Sequence, residues 1–295
     1  MAANLKEVRN RIASVKSTMQ ITKAMKMVSA SKLRRATDKI VQIRPYSNQL
    51  NDVLTDIVSS LQGEVNLSLA ENRDIEKILI VVITSDKGLC GGFNANVIKQ
   101  TRHLIEDKYK VLHEKGKVDF MFIGKKGYDG LKNTLNGHLN NAYINLFHHL
   151  NFEDVAHVAE ELIGLFSSKK YDRIEVVYNM FKNAAIQATQ AEQFLPVEAG
   201  EVEEGGKSSD YIFEPNREEI LDSLVPKILK TQFFRFLLDS NASEHGARMT
   251  AMDKATDNAN ELLKDLSIMY NRARQAAITT ELSEIVSGAA ALAAE

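Results

Sequence analysis

The sequence predicts an α/β protein: a long antiparallel coiled coil of the N- and C-terminal helices plus a central Rossmann-like α/β domain. Two observations predict this fold class. Apolar residues recur at alternating steps of three and four near both ends of the 295-residue chain, which is the spacing of a coiled-coil seam. Between the ends, a β-branched run leads into a Gly-rich turn and a helical stretch, which is the order found in parallel α/β sheets.

The N-terminal segment, residues 1–61, has the pattern of one long coiled-coil helix. Its apolar seam changes phase near Met25 and Val28, and such a slip rewinds a supercoil locally. Pro45 lies inside the pattern, and because the spacing continues in phase beyond it, we expect a kink and not a helix end. The seam residues are Leu5, Val8, Ile12, Val15, Met19, Thr22, Leu33, Ala36, Ile40, Ile43, Ser47, Leu50, Leu54, Ile57 and Leu61.

The C-terminal segment, residues 216–295, is predicted to hold two helices. The first covers 217–238, is dense in apolar residues and should pack on the sheet, with a kink at Pro226. The second begins near Asn241, with capping residues up to Ser243, and carries the other seam. Because neither seam is apolar all round, we expect the two long helices to wrap around each other. The second seam comprises Met249, Met252, Thr256, Ala259, Leu263, Leu266, Tyr270, Ala273, Ala277 and Thr280, then Leu282, Ile285, Ala289 and Leu292 after another slip.

The central segment, residues 75–215, contains the predicted sheet. An amphipathic helix is expected at 153–166. The Gly-, Glu- and Ser-rich stretch at 198–210 is expected to be a solvated insert without chemistry. The expected strands cover residues 77–84, 118–123, 173–178 and 186–195.

Composition excludes several classes of protein. The net charge of -2 does not fit a generic basic nucleic-acid binder. Cys90 is the single cysteine, so no internal disulfide or thiolate metal cluster can form, and a reducing compartment is expected. Neither an export signal nor a run of about 18 apolar residues occurs, so we expect any membrane association to go through a partner.

Motifs that could carry chemistry are weak in this sequence. The turn at 85–94 (SDKGLCGGFN) lies where phosphate loops lie, but it lacks the dinucleotide and Walker spacings, which favours a structural turn over a nucleotide cradle. The run Gly206-Lys207-Ser208 lacks the first Walker glycine. Cys90 has no activating His nearby, and His148-His149 has no third ligand. We therefore expect no catalytic residue, no cofactor site and no metal site.

The first helix is strongly basic. Residues 1–44 hold eleven Lys and Arg against Glu7 and Asp38, a net charge of +9. A solvated face is one interpretation, and contact with an acidic partner is the other. Nucleic acid would require stacking aromatics, and none precedes Tyr46, so an acidic protein surface is favoured.

Several sequence blocks resemble the gamma subunits of F-type ATP synthases. The N-terminal blocks are 12–15 (IASV), 21–28 (ITKAMKMV) and 32–36 (KLRRA), and the Gly-rich turn at 85–94 also resembles the family's turn. The C-terminal blocks lie within 243–259 and 270–289. The chain departs from the family's common form at Ala277 and in the acidic insert near Glu201, and the cysteine-bearing regulatory insert of the chloroplast form is absent.

The resemblance implies a non-catalytic central shaft, with the coiled coil inside a ring of alternating alpha and beta subunits and the α/β domain near the membrane rotor. The implied partners are the alpha and beta subunits of the catalytic hexamer, the epsilon subunit and the c-ring, with no nucleic acid and no cofactor. The implied location is peripheral, on the cytoplasmic side of a bacterial plasma membrane. The residues expected to face moving loops of beta are Lys23, Met25, Lys26, Arg272, Gln275 and Thr279.

Two other functions fit parts of the sequence. A nucleotide-binding α/β enzyme would use the turn at 85–94, and a basic coiled-coil adaptor would bind nucleic acid through the first helix. The first would bind or hydrolyse nucleotide as an isolated chain, and the second would bind nucleic acid in a salt-sensitive way.

Overall fold

The computed structural model describes residues 5–60, 69–71, 73–197 and 217–293. The insert expected at 198–210 and the run Gly206-Lys207-Ser208 lie outside these residues. The helices are α1 (Leu5–Ser60), α2 (Phe93–Lys108), α3 (Lys110–Glu114), α4 (Lys125–Leu131), α5 (Phe152–Ser167) and α6 (Arg217–Ala293), with a 3₁₀ helix at Leu146–His149. The strands are β1 (Ile78–Ile83), β2 (Val118–Ile123), β3 (Leu139–Asn140), β4 (Arg173–Phe181) and β5 (Gln187–Leu195).

The chain forms two compact units. The first, the coil unit, comprises Met1–Ser29 and Met249–Glu295, and the second, the sheet unit, comprises Ala30–Arg248, each as far as its residues are described.

The sheet unit is built on five strands in the order β3-β2-β1-β4-β5. Strands β1 to β4 pair in parallel, and β5 is antiparallel to β4. Every residue of β1 and β2 is buried, as expected for central strands covered on both faces. The predicted strands at 77–84, 118–123, 173–178 and 186–195 are confirmed, with ends that differ by a few residues.

Alternate side chains of β1 lie in two different hydrophobic cores. Leu79, Val81 and Ile83 join the core that contains residues of α1, α5 and α6, whereas Ile78 and Ile80 join the core built with α2 and β2. The alternation follows from the two-residue period of a strand. Complete burial of one such side chain contributes about 1.5–3 kcal/mol, so both cores hold the sheet in place.

Helix α6 is one helix of 77 residues, and the predicted start of a new helix near Asn241 is therefore wrong. The helix continues through 239–247 because these side chains are packed in the sheet unit, where Ala242 and Ser243 are completely buried. The Ser243 hydroxyl donates to the Asn179 carbonyl at 3.1 Å and does not cap a helix. Burial and a tertiary hydrogen bond thus override a capping sequence.

The coil unit is an antiparallel helix pair. Arg9 contacts Tyr270, Thr22 contacts Thr256 and Lys26 contacts Asp253, so one residue number rises as the other falls. The predicted seam is buried or half-buried from Leu5 to Thr22 and from Met249 to Ala273. The long antiparallel coiled coil of the predicted fold class is therefore confirmed.

Candidate functional site

The predicted phase slip near Met25 and Val28 is wrong. Val28 is 57% exposed, whereas Ser29, seven residues after the buried Thr22, is 3% exposed and keeps the seam in phase. Ile21 is also 57% exposed, beside the buried Thr22. The helix therefore buries two polar side chains there and leaves two apolar ones at the surface.

Polar contacts join the two helices at this place. The Thr22 and Thr256 hydroxyls are 2.9 Å apart, and Lys26 forms an ion pair with Asp253. The Thr22 hydroxyl also lies 3.0 Å from the Met19 carbonyl. The Thr256 hydroxyl likewise lies 2.7 Å from the Met252 carbonyl, and because each hydroxyl has a single proton, at most one of the two threonines donates across the seam.

Three of the residues expected to face beta lie near these contacts. Lys23 is exposed on α1, and Met25 is half-buried at the edge of the seam. The Lys26 ammonium is engaged by Asp253 of the same chain, with both side chains about half exposed. Lys23 is therefore the more exposed of the two cations, whereas Lys26 is bound to Asp253 of the second helix.

The other three expected residues lie further along α6. Arg272, Gln275 and Thr279 are all exposed, and the Thr279 hydroxyl donates to the Gln275 carbonyl at 2.9 Å. At 1.5 Å per residue, Gln275 lies about 33 Å along the helix from Asp253, which contacts Lys26. The structure therefore does not bring the six residues together, and their contact with a partner stays a prediction.

Beyond Ala273, which is half-buried, the side chains of α6 are exposed throughout residues 274–290. The exposed apolar side chains of this stretch, which we call the α6 tip, are Ile278, Leu282, Ile285 and Val286. An apolar face of this kind on a helix marks a surface that other protein covers.

The Gly-rich turn that follows β1 is held by its own polar groups. The Ser85 amide donates to Asn94 Oδ1 at 3.0 Å, and the Ser85 hydroxyl donates to the Lys87 carbonyl at 2.7 Å. Leu89 has φ of 62°, a left-handed conformation that is uncommon for a side chain of its size. These bonds fix the turn between β1 and α2.

Helix α6 occupies the carboxyl edge of the sheet beside this turn. In doubly wound sheets this edge, where neighbouring strands connect in opposite directions, is where nucleotides bind. Here Arg248 donates to the carbonyls of Lys87 at 3.1 Å and Gly88 at 3.3 Å, while Ala247 packs with Cys90 and Phe93. A helix of the same chain therefore occupies the place beside the turn where a nucleotide would bind. This favours a structural turn over a nucleotide cradle.

Buried charges accompany Arg248. Its guanidinium forms an ion pair with Glu244 at 2.7 Å, and burial raises the pKa of that carboxyl above its usual range. Burial, with the charges of Arg248 and Lys32, lowers the pKa of His245 to about 4, so the ring is neutral at pH 7. Burial likewise raises the pKa of Cys90, which makes this thiol a poor nucleophile.

Among the described residues, no group of three or more His, Cys, Asp or Glu is placed to hold a metal ion. In the same ranges, no helix has the length and apolarity needed to cross a membrane.

Several residues that the structure makes important were not predicted from the sequence. No sequence pattern indicated that Asp253 pairs with Lys26, because an acidic residue beside a coiled-coil seam is normally solvated. Arg248 and Glu244 are four residues apart, a spacing that predicts an ion pair on a helix and could have been noticed. The contact of Arg248 with the turn 160 residues away had no local signal.

The fold defines a class of protein with an antiparallel coiled coil and an α/β unit, in which the end of α6 carries an exposed apolar face. A family model described as ATP synthase matches residues 4–292. The chain is 54% identical to the ATP synthase gamma chain of Cytophaga hutchinsonii over 293 residues, which cover 98% of this chain and 99% of that one. It is 52% identical to the ATP synthase gamma chain of Flavobacterium johnsoniae over 292 residues, with 98% and 99% covered. The chain therefore belongs to the ATP synthase family, among its gamma chains.

Solved structures give the same fold. A central stalk and c-ring structure of the Tetrahymena thermophila mitochondrial ATP synthase includes a chain with 26% identity and a TM-score of 0.59, over 80% of this chain and 99% of that one. A chain of the Euglena gracilis mitochondrial ATP synthase has 21% identity and a TM-score of 0.65, over 98% of this chain and 94% of that one. The predicted fold class and family resemblance are both confirmed.

Proposed function

We propose that this chain is the central rotor shaft of an F-type ATP synthase. It couples proton-driven rotation of the membrane c-ring to conformational cycling of catalytic beta subunits. The chain itself is a non-catalytic subunit. The observation that carries this proposal is the α6 tip, where this member of the ATP synthase family exposes an apolar helix face beyond the half-buried seam.

The shaft acts through its lack of symmetry. Three chemically identical catalytic sites can differ only if the shaft contacts each of them differently, because a conformational equilibrium moves only by differential interaction. A pair of unlike helices presents a different face to each site: basic side chains on α1, and Arg272 with Gln275 on α6. Each turn therefore moves every beta subunit through tight, loose and open states.

The proposed partners follow from the surface. The basic face of α1 suits acidic loops of beta, which Lys23, Met25 and Lys26 would meet. The α6 tip, with the small side chains that end the helix, suits a narrow apolar sleeve formed by the alpha and beta ring. The epsilon subunit and the c-ring would contact the sheet unit. The location is peripheral, on the cytoplasmic side of a bacterial plasma membrane.

Reconstitution tests the proposal directly. Purified chain is mixed with alpha and beta subunits, and complex stoichiometry and ATP hydrolysis are compared with the same mixture lacking the chain. A stoichiometric complex with steady hydrolysis is expected. If the subunits neither bind the chain nor gain activity, the rotor function is wrong, and nucleotide titration of the isolated chain tests the enzyme alternative.

The contact residues on α6 are tested by Arg272→Ala with Gln275→Ala. Both side chains are exposed, so the melting temperature of the chain should stay unchanged while protons pumped per ATP decrease in reconstituted vesicles. Asn260→Ala with Lys264→Ala, an exposed pair on the same helix, is the matched control and should alter neither quantity. A lowered melting temperature of the first variant, with coupling intact, would contradict the assignment.

A further inference from the structure

The Gly-rich turn at 85–94 contains a residue in an unfavourable conformation. Leu89 has φ of 62°, in the left-handed region that side chains of its size rarely adopt, and its side chain is 66% exposed. Because an exposed side chain gains little from burial, Leu89 itself does not compensate for the strain. Contacts elsewhere in the fold must therefore hold the turn in this conformation.

Apolar burial holds only one part of the turn. Cys90 and Phe93 are buried, so burial fixes the part that follows Leu89. Lys87, by contrast, is exposed, and Gly88 has no side chain. The part of the turn that precedes Leu89 therefore depends on polar contacts.

Arg248 of α6 supplies polar contacts from outside the turn. Its guanidinium donates to the Lys87 carbonyl at 3.1 Å and to the Gly88 carbonyl at 3.3 Å, which are the two carbonyls directly before Leu89. Glu244, one helical turn earlier, forms an ion pair with Arg248 at 2.7 Å, and the two side chains are only 10% and 11% exposed. Hydrogen bonds from a charged donor are stronger than neutral ones. Arg248 is thus fixed by its own helix, whereas the turn is the part that can move.

The accessibility of the Cys90 thiol indicates whether the turn is closed. Cys90 is 1% exposed, and its Sγ lies 3.9 Å from the Lys87 carbonyl oxygen and 3.7 Å from the Ser85 hydroxyl. A change in the backbone of residues 87–89 would therefore uncover the thiol. Because Cys90 is the single cysteine in the sequence, its reaction with a maleimide needs no engineered probe.

We propose that the Gly-rich turn opens locally and that Arg248 is the positioning residue that holds it closed. In the closed state Leu89 is left-handed and Cys90 is covered. In the open state Arg248 releases the two carbonyls, Leu89 leaves the left-handed region and Cys90 becomes accessible. The flanking β1, α2 and α6 stay folded, because their side chains lie in the hydrophobic cores. The opening is a property of the chain itself and does not rest on the rotor function.

Local opening is measured by maleimide labelling of the full chain at low urea concentrations. Local opening exposes little surface, so the labelling rate of Cys90 should change little with urea. Val81→Cys in a Cys90→Ala background, at a position that is completely buried in β1, reports global unfolding, and its labelling rate should rise steeply with urea. Equal urea dependence of the two rates would show that the turn opens only when the whole chain unfolds, and would overturn the proposal.

The role of Arg248 is tested by two variants. Arg248→Met with Glu244→Gln removes the contacts to the turn without leaving a buried carboxylate unpaired, and it should raise the rate of local labelling about tenfold, the effect of one charged hydrogen bond. Arg248→Lys keeps the charge beside Glu244 but lacks the planar fork that reaches both the carboxylate and the carbonyls, so its rate should fall between the other two. A rate equal to that of wild type in either variant would contradict the role of Arg248.

A matched control and a variant of the turn itself complete the test. Arg235→Met with Glu192→Gln removes another ion pair between α6 and the sheet, at β5, and should leave local labelling of Cys90 unchanged. Leu89→Asn, at an exposed position, should slow local labelling about threefold, because asparagine tolerates the left-handed region better than leucine does. Circular dichroism verifies that each variant is folded. Faster local labelling in the Arg235 control, or no slowing in Leu89→Asn, would show that the proposed cause of the opening is wrong.

Discussion

His245 is 9% exposed on α6, and its surroundings oppose protonation. Its pKa falls to about 4 through burial and the nearby Arg248 and Lys32 charges, against about 6.5 in an unfolded chain. Between these pH values the unfolded state binds a proton that the folded state refuses, so stability falls as the pH drops from about 6.5 to about 4. The loss from this residue is about 2 kcal/mol at pH 5.

We predict that His245→Gln removes this part of the pH dependence. The side chain amide oxygen can accept from Arg248, which lies 3.4 Å from the His245 Nδ1, and it takes up no proton. As the pH falls from 7 to 4, the melting temperature of His245→Gln should therefore fall less than that of wild type. His149→Gln, at an exposed position, is the control and should follow wild type. Parallel curves for His245→Gln and wild type would show that His245 is not the group that titrates.

Arg44 balances a buried carboxylate in the sheet unit. It donates to Asp239 Oδ1 and to the Phe181 carbonyl, each at 2.7 Å, and the Asp239 side chain is 4% exposed. Burial raises the pKa of Asp239 in spite of this partner. The pair therefore ties α1 to α6 and to the end of β4.

We predict that Arg44→Met lowers stability at pH 7 by about 2–3 kcal/mol, because it leaves a buried charge unpaired while Arg44 itself is partly exposed. The loss is present above the raised pKa of Asp239 and should shrink as the pH falls through it, since the protonated carboxyl needs no cation. Urea unfolding at several pH values measures this. Arg44→Lys keeps the charge and should lose less, and a pH-independent loss would point to packing as the cause.

At the level of elements, the close approach of β2 and α4 to the end of β1 requires a glycine. Gly124 has φ of 91°, and a Cβ there would lie 2.0 Å from the Thr84 carbonyl oxygen. We predict that Gly124→Ala costs more than about 3 kcal/mol or prevents folding, because backbone must move to make room.

Gly116→Ala is its matched control. Gly116 also has positive φ, 67°, but a Cβ there meets nothing within 4 Å, so only the conformational cost of about 1–2 kcal/mol applies. Thermal melts of both variants give the comparison. Equal losses would mean that backbone conformation, and not the contact with Thr84, decides the role of Gly124.

At the level of the whole molecule, the α6 tip is expected to serve assembly and not folding. Ending the chain after Ala276 removes side chains that are exposed throughout 277–290. We predict a change in stability within about 0.5 kcal/mol, together with weaker assembly or coupling in the complex. Differential scanning fluorimetry and reconstituted ATP hydrolysis measure the two effects. A large drop in melting temperature would assign the tip a role in folding.

The sequence determined the parts of this protein that depend on local repetition. The β-branched run of β1 and the three-four spacing at Leu5–Thr22 and Met249–Ala273 specify a buried strand and coiled-coil helices, because each pattern places its apolar side chains on the faces that become buried. The blocks at 12–36 and 243–289 also carried the family resemblance.

Only the tertiary structure decided the rest. The sequence favours a helix start at Asn241, but a distant residue prevents it, because the Asn179 carbonyl holds Ser243 inside an unbroken α6. Interactions between residues more than 60 positions apart leave no local pattern in a chain. The contact of Arg248 with the Gly-rich turn therefore became visible only in the folded chain.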